Sequence, residues 1–131
     1  MHVELVSPER ILYSGDADMV ICRTIDGGDI AFLANHAPFL GALDVAVVRI
    51  KTADGQWEEA AVHGGFVHVR DNKVILLSDL AELASQIDFE RARRDREDLE
   101  KRVMETDDVE CEAQLRRVHV RLSLQPAAAH S

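Results

Sequence analysis

All seven glycines of this 131-residue chain lie at or before Gly65, and after Pro38 the one remaining proline is Pro126. Glycine and proline punctuate turns, so their distribution separates a turn-rich part from an uninterrupted one. Charge divides the chain at the same place. Residues 1–84 carry 6 Lys and Arg against 13 Asp and Glu, and residues 85–131 carry 9 against 11. The charged share therefore nearly doubles, from 19 of 84 to 20 of 47, and a boundary between two architectures falls at about Ala84–Asp88.

The first part reads as short strands. The segments 3–6, 17–24, 30–33, 45–51, 58–62, 66–70 and 74–77 are rich in β-branched or apolar residues, several with period-2 alternation. Turn chemistry stands between them: Ser14-Gly15, Asp26-Gly27-Gly28, Asp54-Gly55, Gly64-Gly65 and Asp71-Asn72. Asp-Gly and Gly-Gly supply positive φ at little steric cost, as tight hairpins require. Closely spaced hairpins without helical patterns between them predict a two-layer antiparallel β-sandwich over residues 1–84.

The second part changes period. Phe89, Ala92, Leu99 and Val103 share one helical face, and Cys111, Leu115, Val118 and Leu122 share another. Ser85 or Asp88 is placed to cap the first helix. Glu105-Thr106-Asp107-Asp108 supplies a short connection, so residues 85–124 are expected to form an antiparallel helical hairpin. Residues 125–131, with Pro126 and three alanines, read as a flexible tail. Arg96 falls in the seam between Ala92 and Leu99, which leaves the hairpin a thin apolar face. Such a hairpin is marginal alone and must dock on the sandwich, on itself or on a partner, so it is expected to be a movable arm.

Composition excludes several functions. A net charge of −9 argues against a DNA or RNA binder, because phosphate binding needs clustered, uncompensated cations. The longest apolar runs, such as Val45-Ala46-Val47-Val48, are far below the ~20 residues that span a bilayer. The N-terminal Met1-His2-Val3-Glu4-Leu5-Val6 lacks the basic and apolar regions of a signal peptide. Cys22 and Cys111 are spaced for neither a metal knuckle nor a redox pair, and read as reduced thiols in a cytosolic protein. No nucleophile elbow, zinc signature or phosphate loop occurs. His63 and His68 are the one close histidine pair among the strands, but a five-residue separation puts them on opposite faces of a regular strand. Ordinary surface or turn histidines are the expectation, so neither a metal nor a catalytic residue is assigned.

The arginines form a pattern. Arg91, Arg93, Arg94, Arg96 and Arg102 crowd the first helix with Lys101, and Arg116, Arg117 and Arg121 lie near the end of the second. In an antiparallel hairpin Arg91 comes to face Arg117 and Arg121, a set suited to a polyphosphate or an acidic partner segment. The competing reading is a set of solvated faces laced with Glu90, Asp95, Glu97 and Asp98.

Four segments in order carry a resemblance: Leu12-Tyr13-Ser14-Gly15 after Pro8, Gly28 through Leu40 with its His36-Ala37-Pro38, Gly64-Gly65-Phe66, and Ile87-Asp88-Phe89-Glu90-Arg91-Ala92. With the strand-to-hairpin change, the chain from about Val3 to Leu124 resembles the bacterial ε subunit of F-type ATP synthases. That resemblance implies a non-catalytic central-stalk rotor subunit, peripheral on the cytoplasmic face of the cell membrane, with no required cofactor. It implies a sandwich that binds the γ subunit and rests on the polar loops of the membrane c-ring, with Asp29 and His36 in ring-contact positions. Ala31 and Ala34 stand where the family commonly has glycine and proline. It also implies an arm that, when extended, meets the α/β catalytic head and opposes ATP hydrolysis.

The arm resembles the family's nucleotide-sensing version. Ile87-Asp88-Phe89-Glu90-Arg91-Ala92 matches its motif, Glu82 precedes it at the matching distance, and Arg117 and Arg121 match two second-helix arginines. The implied ATP site is Glu82, Ile87, Asp88, Arg91, Ala92, Arg117 and Arg121. Asp98 stands where strong ATP binders tend to carry another arginine, so binding is expected to be weak or absent. A free-standing nucleotide-sensing module and a small β-fold enzyme using His63 or His68 are the competing readings.

Overall fold

The computed structural model describes residues 1–106 and 108–125. The proposed tail from Pro126 onward, and Asp107 of the connection, lie outside the described residues. Seven strands come first: β1 (His2–Ser7), β2 (Arg10–Thr24), β3 (Gly28–Leu33), β4 (Phe39–Thr52), β5 (Trp57–Arg70), β6 (Lys73–Leu77) and β7 (Ala81–Leu83). A 3₁₀ turn over Ala84–Gln86 leads into α1 (Phe89–Glu105) and α2 (Val109–Ser123).

The strands run β1-β6-β5-β4-β2-β3, and β1 also pairs with β2, so the sheet folds back on itself as a flattened barrel or sandwich. The long strands make this possible. Residues 10–16 of β2 pair with β1, while Ala17–Thr24 pairs with β4 and β3, so one strand serves both layers. Alternate residues then point inward from both layers. Val3, Leu5, Val20, Phe32, Leu43, Ile50, Val67, Val69, Val74 and Leu76 fill the space between and are almost wholly buried.

Three sequence expectations change. The sheet is antiparallel except for β1–β6, which is parallel. Ser14-Gly15 is not a turn: it lies inside β2, with Ser14 opposite Glu4 and Gly15 opposite Val3, and the chain reverses instead between Ser7 and Arg10. Gly64-Gly65 is not a turn either, because the strands expected at 58–62 and 66–70 are one strand, β5, that passes through it. Both glycines have positive φ, +90° and +120°, and a Cβ on Gly65 would overlap the Leu77 carbonyl oxygen and come within 2.9 Å of Ser78 Cα. They let β5 bend and β6 approach; a bulge and a turn both draw on positive φ, so the dipeptide alone does not distinguish them. The short strand β7 was not foreseen.

The hairpin forms where expected. Asp88 caps α1, its carboxylate accepting from the Arg91 amide at 3.0 Å, and Asp108 caps α2, accepting from the Glu110 amide at 2.9 Å. Ala92, Leu99 and Val118 make the inter-helix contact with Leu115 and Leu122 packed around them. Arg96 stays partly exposed and pairs with Glu100 at 3.7 Å. A second cluster of Ala61, Ile87 and Leu124, flanked by Val47, Phe89 and Val120, seats α2 on the sheet. Among the described residues no helix is long and apolar enough to cross a membrane.

Candidate ligand cleft and docking surfaces

The cap that starts α1 also opens a cleft. A space of about 390 Å³ lies between the end of the sandwich and the hairpin, lined by Glu82, Gln86, Ile87, Asp88, Arg91, Ala92, Asp95 and Arg121. Six of the seven residues of the implied nucleotide site are therefore brought together. Arg117 lies in a neighbouring cleft of about 360 Å³ with Asp98, Arg102 and Gln114. Asp95 and Arg121 line both clefts. Arg91 and Arg121 thus meet at one cleft, whereas Arg117 is turned toward Glu110 at 3.6 Å. Ile87 and Ala92 are packing residues as well as lining, for Ile87 belongs to the docking cluster and Ala92 to the inter-helix contact.

The charges in these clefts are largely spoken for. Arg121 Nε donates to Glu82 Oε1 at 2.5 Å, joining α2 to β7 across 39 residues of sequence. His63 Nε2 stands 3.6 Å from the same oxygen, beyond hydrogen-bond reach, and its side chain is fully buried. The His63 ring and the Arg121 guanidinium hold the Glu82 carboxyl down to about 2, against the burial that raises it. By distance Arg121 is the bonded partner and His63 an electrostatic neighbour. Asp98 faces the second cleft and pairs with Arg102 at 3.1 Å. Arg91 makes no ion pair among the described residues, and Asp88 is occupied as the cap.

The bulge at Gly64-Gly65 shifts the phase of β5: Ala60 and Val62 point into the core before it and Val67 and Val69 after it. His63 and His68 therefore share the outer face instead of lying on opposite faces, His63 buried beside Glu82 and His68 exposed. No group of three or more His, Cys, Asp or Glu placed to hold a metal ion occurs among the described residues. Cys22 and Cys111 are both free, and burial pushes the Cys22 thiol up to about 11.

The structure does not bring Asp29 and His36 together. Asp29 starts β3 and is held by Arg23, its cross-strand neighbour, at 2.9 Å; that guanidinium lowers its carboxyl below the usual range. It borders a groove whose other wall is His119, Val120 and Ser123 of α2. His36 lies past the far end of β3, its ring set edge-on to Phe32 at 4.9 Å with Nδ1 2.7 Å from the Ala37 carbonyl oxygen. The Asn35 amide donates to the Asn72 side chain at 2.8 Å, so the turns after β3 and β5 form one end of the sandwich.

A surface that the sequence reading missed lies on the outer sheet. Phe66 stands opposite Leu77 on β6 and Ala42 on β4, and Leu40 is two residues from Ala42 on the same face. Leu40, Phe66 and Leu77 are 71%, 58% and 48% exposed, so three large apolar side chains on adjacent strands face solvent. Phe66 is out of phase with the buried Val67 and Val69, which is the signal that alternation held.

An apolar patch of this kind on the outer face of a sandwich is a candidate interaction surface. Residues 1–84 match the family described as ATP synthase, Delta/Epsilon chain, beta-sandwich domain. The ATP synthase epsilon chain of Streptomyces avermitilis is 48% identical over 97 residues, 74% of this chain and 77% of that one. That of Brevibacillus brevis is 49% identical over 105 residues, 80% of this chain and 79% of that one. This chain belongs to the ATP synthase epsilon chain family. In shape it resembles a chain in the cryo-EM structure of the Euglena gracilis mitochondrial ATP synthase, OSCP/F1/c-ring, with a TM-score of 0.72 over 92% of this chain and 73% of that one. That pair is 20% identical, a likeness of fold.

Proposed function

We propose that the chain is a non-catalytic subunit of the central stalk of a proton-translocating F-type ATP synthase, joining the γ subunit to the membrane c-ring and helping to couple ring rotation to ATP synthesis. Family membership supports the complex, and one surface carries the docking role: the exposed face of Leu40, Phe66 and Leu77, whose burial against γ would remove apolar area from water. The end of the sandwich holding His36 and Asn72 is assigned to the ring, with Asp29 as a second contact one strand-length away. The complex holds the chain peripherally at the cytoplasmic face of the cell membrane. Reconstitution tests the assignment: Phe66→Asp is expected to abolish co-purification with γ and the other head subunits while leaving the isolated chain folded, and retention of γ would overturn it.

The hairpin is proposed as a regulatory arm that opposes ATP hydrolysis when extended toward the α/β head. Three buried residues seat it on the sandwich, a small area to give up on release. Deleting residues 85–131 is expected to preserve assembly and raise hydrolysis by the complex; unchanged hydrolysis in an intact assembly would remove the inhibitory role. The cleft at Glu82, Asp88, Arg91 and Arg121 is proposed to bind ATP weakly, with Arg117 reaching in from the adjoining space. Asp98 sets a negative charge beside Arg117 and Arg121 where phosphates would lie. Asp98→Arg is expected to tighten ATP binding in calorimetric titration, and tight binding by the unaltered chain would contradict this reading.

A further inference from the structure

The most unusual group in the molecule is His63. Its side chain is fully buried, yet neither Nδ1 nor Nε2 has a hydrogen-bond partner among the described residues. Buried polar groups are nearly always paired, because an unpaired one gives up its water without return. The acceptor that would satisfy Nε2 is in view. Glu82 Oε1 lies 3.6 Å away, and a movement of roughly half an ångström to one ångström would bring it into bonding range. What holds the carboxylate off is Arg121, which bonds the same oxygen from α2 at 2.5 Å.

We infer that the Glu82 carboxylate is a two-position latch: it bonds Arg121 while the hairpin lies on the sandwich and passes to His63 when Arg121 leaves. His63 is then a positioning residue. It receives the carboxylate that release would otherwise leave half-buried and alone, and the bond it gains offsets part of the ion pair lost. Unpairing one member of a buried charge pair is strongly unfavourable when nothing replaces it. Here a replacement stands ready on the sandwich side of the joint, so the arm is held firmly without being locked. Val45 is the residue opposite His63 on β4, and the His63 amide is occupied by the Leu80 carbonyl oxygen at 2.9 Å. The hydrophobic part of the joint, Ala61, Ile87 and Leu124, is small enough for one ion pair to set its balance. This latch is a property of the isolated chain, and it stands whether or not the arm inhibits hydrolysis or the cleft takes a nucleotide.

NMR of the full chain tests it with two signals. Overhauser contacts between the methyls of Val120 and Val47 report docking, and the His63 ring-nitrogen shifts report whether Nε2 donates to an acceptor. In Arg121→Ala the ratio of released to docked hairpin is expected to rise about 10- to 100-fold, the range for a hydrogen bond to a charged group. His63 Nε2 should at the same time acquire a hydrogen-bonded signature that Glu82→Ala removes. Placing His63→Phe in the Arg121→Ala chain should lower the released fraction about fivefold, and His63→Gln, whose amide donates, should restore it. Core methyls of Val20 and Val67 serve as the folding control, and the His63→Gln comparison stands even where phenylalanine is not tolerated. Unchanged Val120–Val47 contacts in Arg121→Ala would overturn the latch. Identical His63 nitrogen signals in the original chain and Arg121→Ala would overturn the hand-over.

Discussion

The sandwich and the hairpin are joined end to end but are held together by different physics. Among the described residues, sixteen buried ones form one continuous core in the sandwich, while three join the two helices and three more seat them on the sheet. Apolar burial scales with area removed from water, so the sandwich is self-sufficient and the hairpin depends on caps and ion pairs for its position. Charge follows the same division. The sandwich carries most of the net negative charge, whereas the hairpin carries nearly balanced charges that pair within it, as Arg102 with Asp98 and Arg117 with Glu110. A rigid adapter and a weakly held arm can therefore coexist in one short chain.

Substitutions that separate the two regions test this contrast. Phe32→Ala, at the centre of the sandwich core, should cost about 3–5 kcal/mol and lower the cooperative unfolding midpoint of the whole chain in urea. A loss confined to the hairpin would break the comparison. Gly65→Ala follows at about 2–4 kcal/mol, because a side chain there meets the β6 backbone at a φ of +120°. Calorimetry should show the sandwich transition moving, with Gly55→Ala, where nothing approaches the added Cβ, as the milder control.

Acid acts on the joint. Glu82 is depressed from 4.5 to about 2 in the docked chain. The largest single part of that depression comes from His63, which stays with the sandwich, so only the share due to Arg121 belongs to docking; that share is complete above pH ~5 and lost as pH falls toward 2. The size is about 1–2 kcal/mol once solvent screening of a partly exposed carboxylate is allowed for. The Val120–Val47 contacts should fade over that interval before the sandwich unfolds, and Glu82→Gln should flatten the dependence. The smallest effect is expected at the helix start, where Asp88→Ala removes the cap on α1 and costs about 1 kcal/mol. Amide exchange should quicken in the first turn of α1 and stay unchanged in β5; equal acceleration in both would show that the two regions are more tightly coupled than their cores suggest.

Local chemistry was readable from the chain wherever one segment decides its own conformation. Asp54-Gly55 and Asp71-Asn72 reverse the chain with positive φ, Asp88 caps α1, and the change from strand to helix falls beside Ala84. The order of the motifs was enough to suggest the family that the comparisons then established. Gly64-Gly65 was misread because the backbone freedom that suits a turn also suits a bend inside a long strand, whereas Ser14-Gly15 was misread because Gly15 takes an ordinary extended conformation in regular pairing with Val3. The difference lies in what runs alongside, Val3 and Glu4 in one case and Leu77 and Ser78 in the other.

The site was legible as a set of residue types and not as an arrangement. The resemblance named seven residues, six of which do line one cleft, but nothing local foretold that Arg117 would turn to Glu110 or that Arg121 would take Glu82. His63 reads as an ordinary surface or turn histidine, and its burial under β7 and α2 overturns that; Phe66 gave no sign of which strands would extend its apolar face. By itself the sequence determined the two architectures, the Asp-Gly and Asp-Asn turns, and the family, because these depend on backbone preferences and periodicities within a few residues. The tertiary structure alone decided which buried charges meet, which histidine is enclosed and which sheet face stays bare. Those are contacts between segments far apart in the chain, such as Arg121 with Glu82 across 39 residues, and their energies depend on distance and burial that no single segment contains.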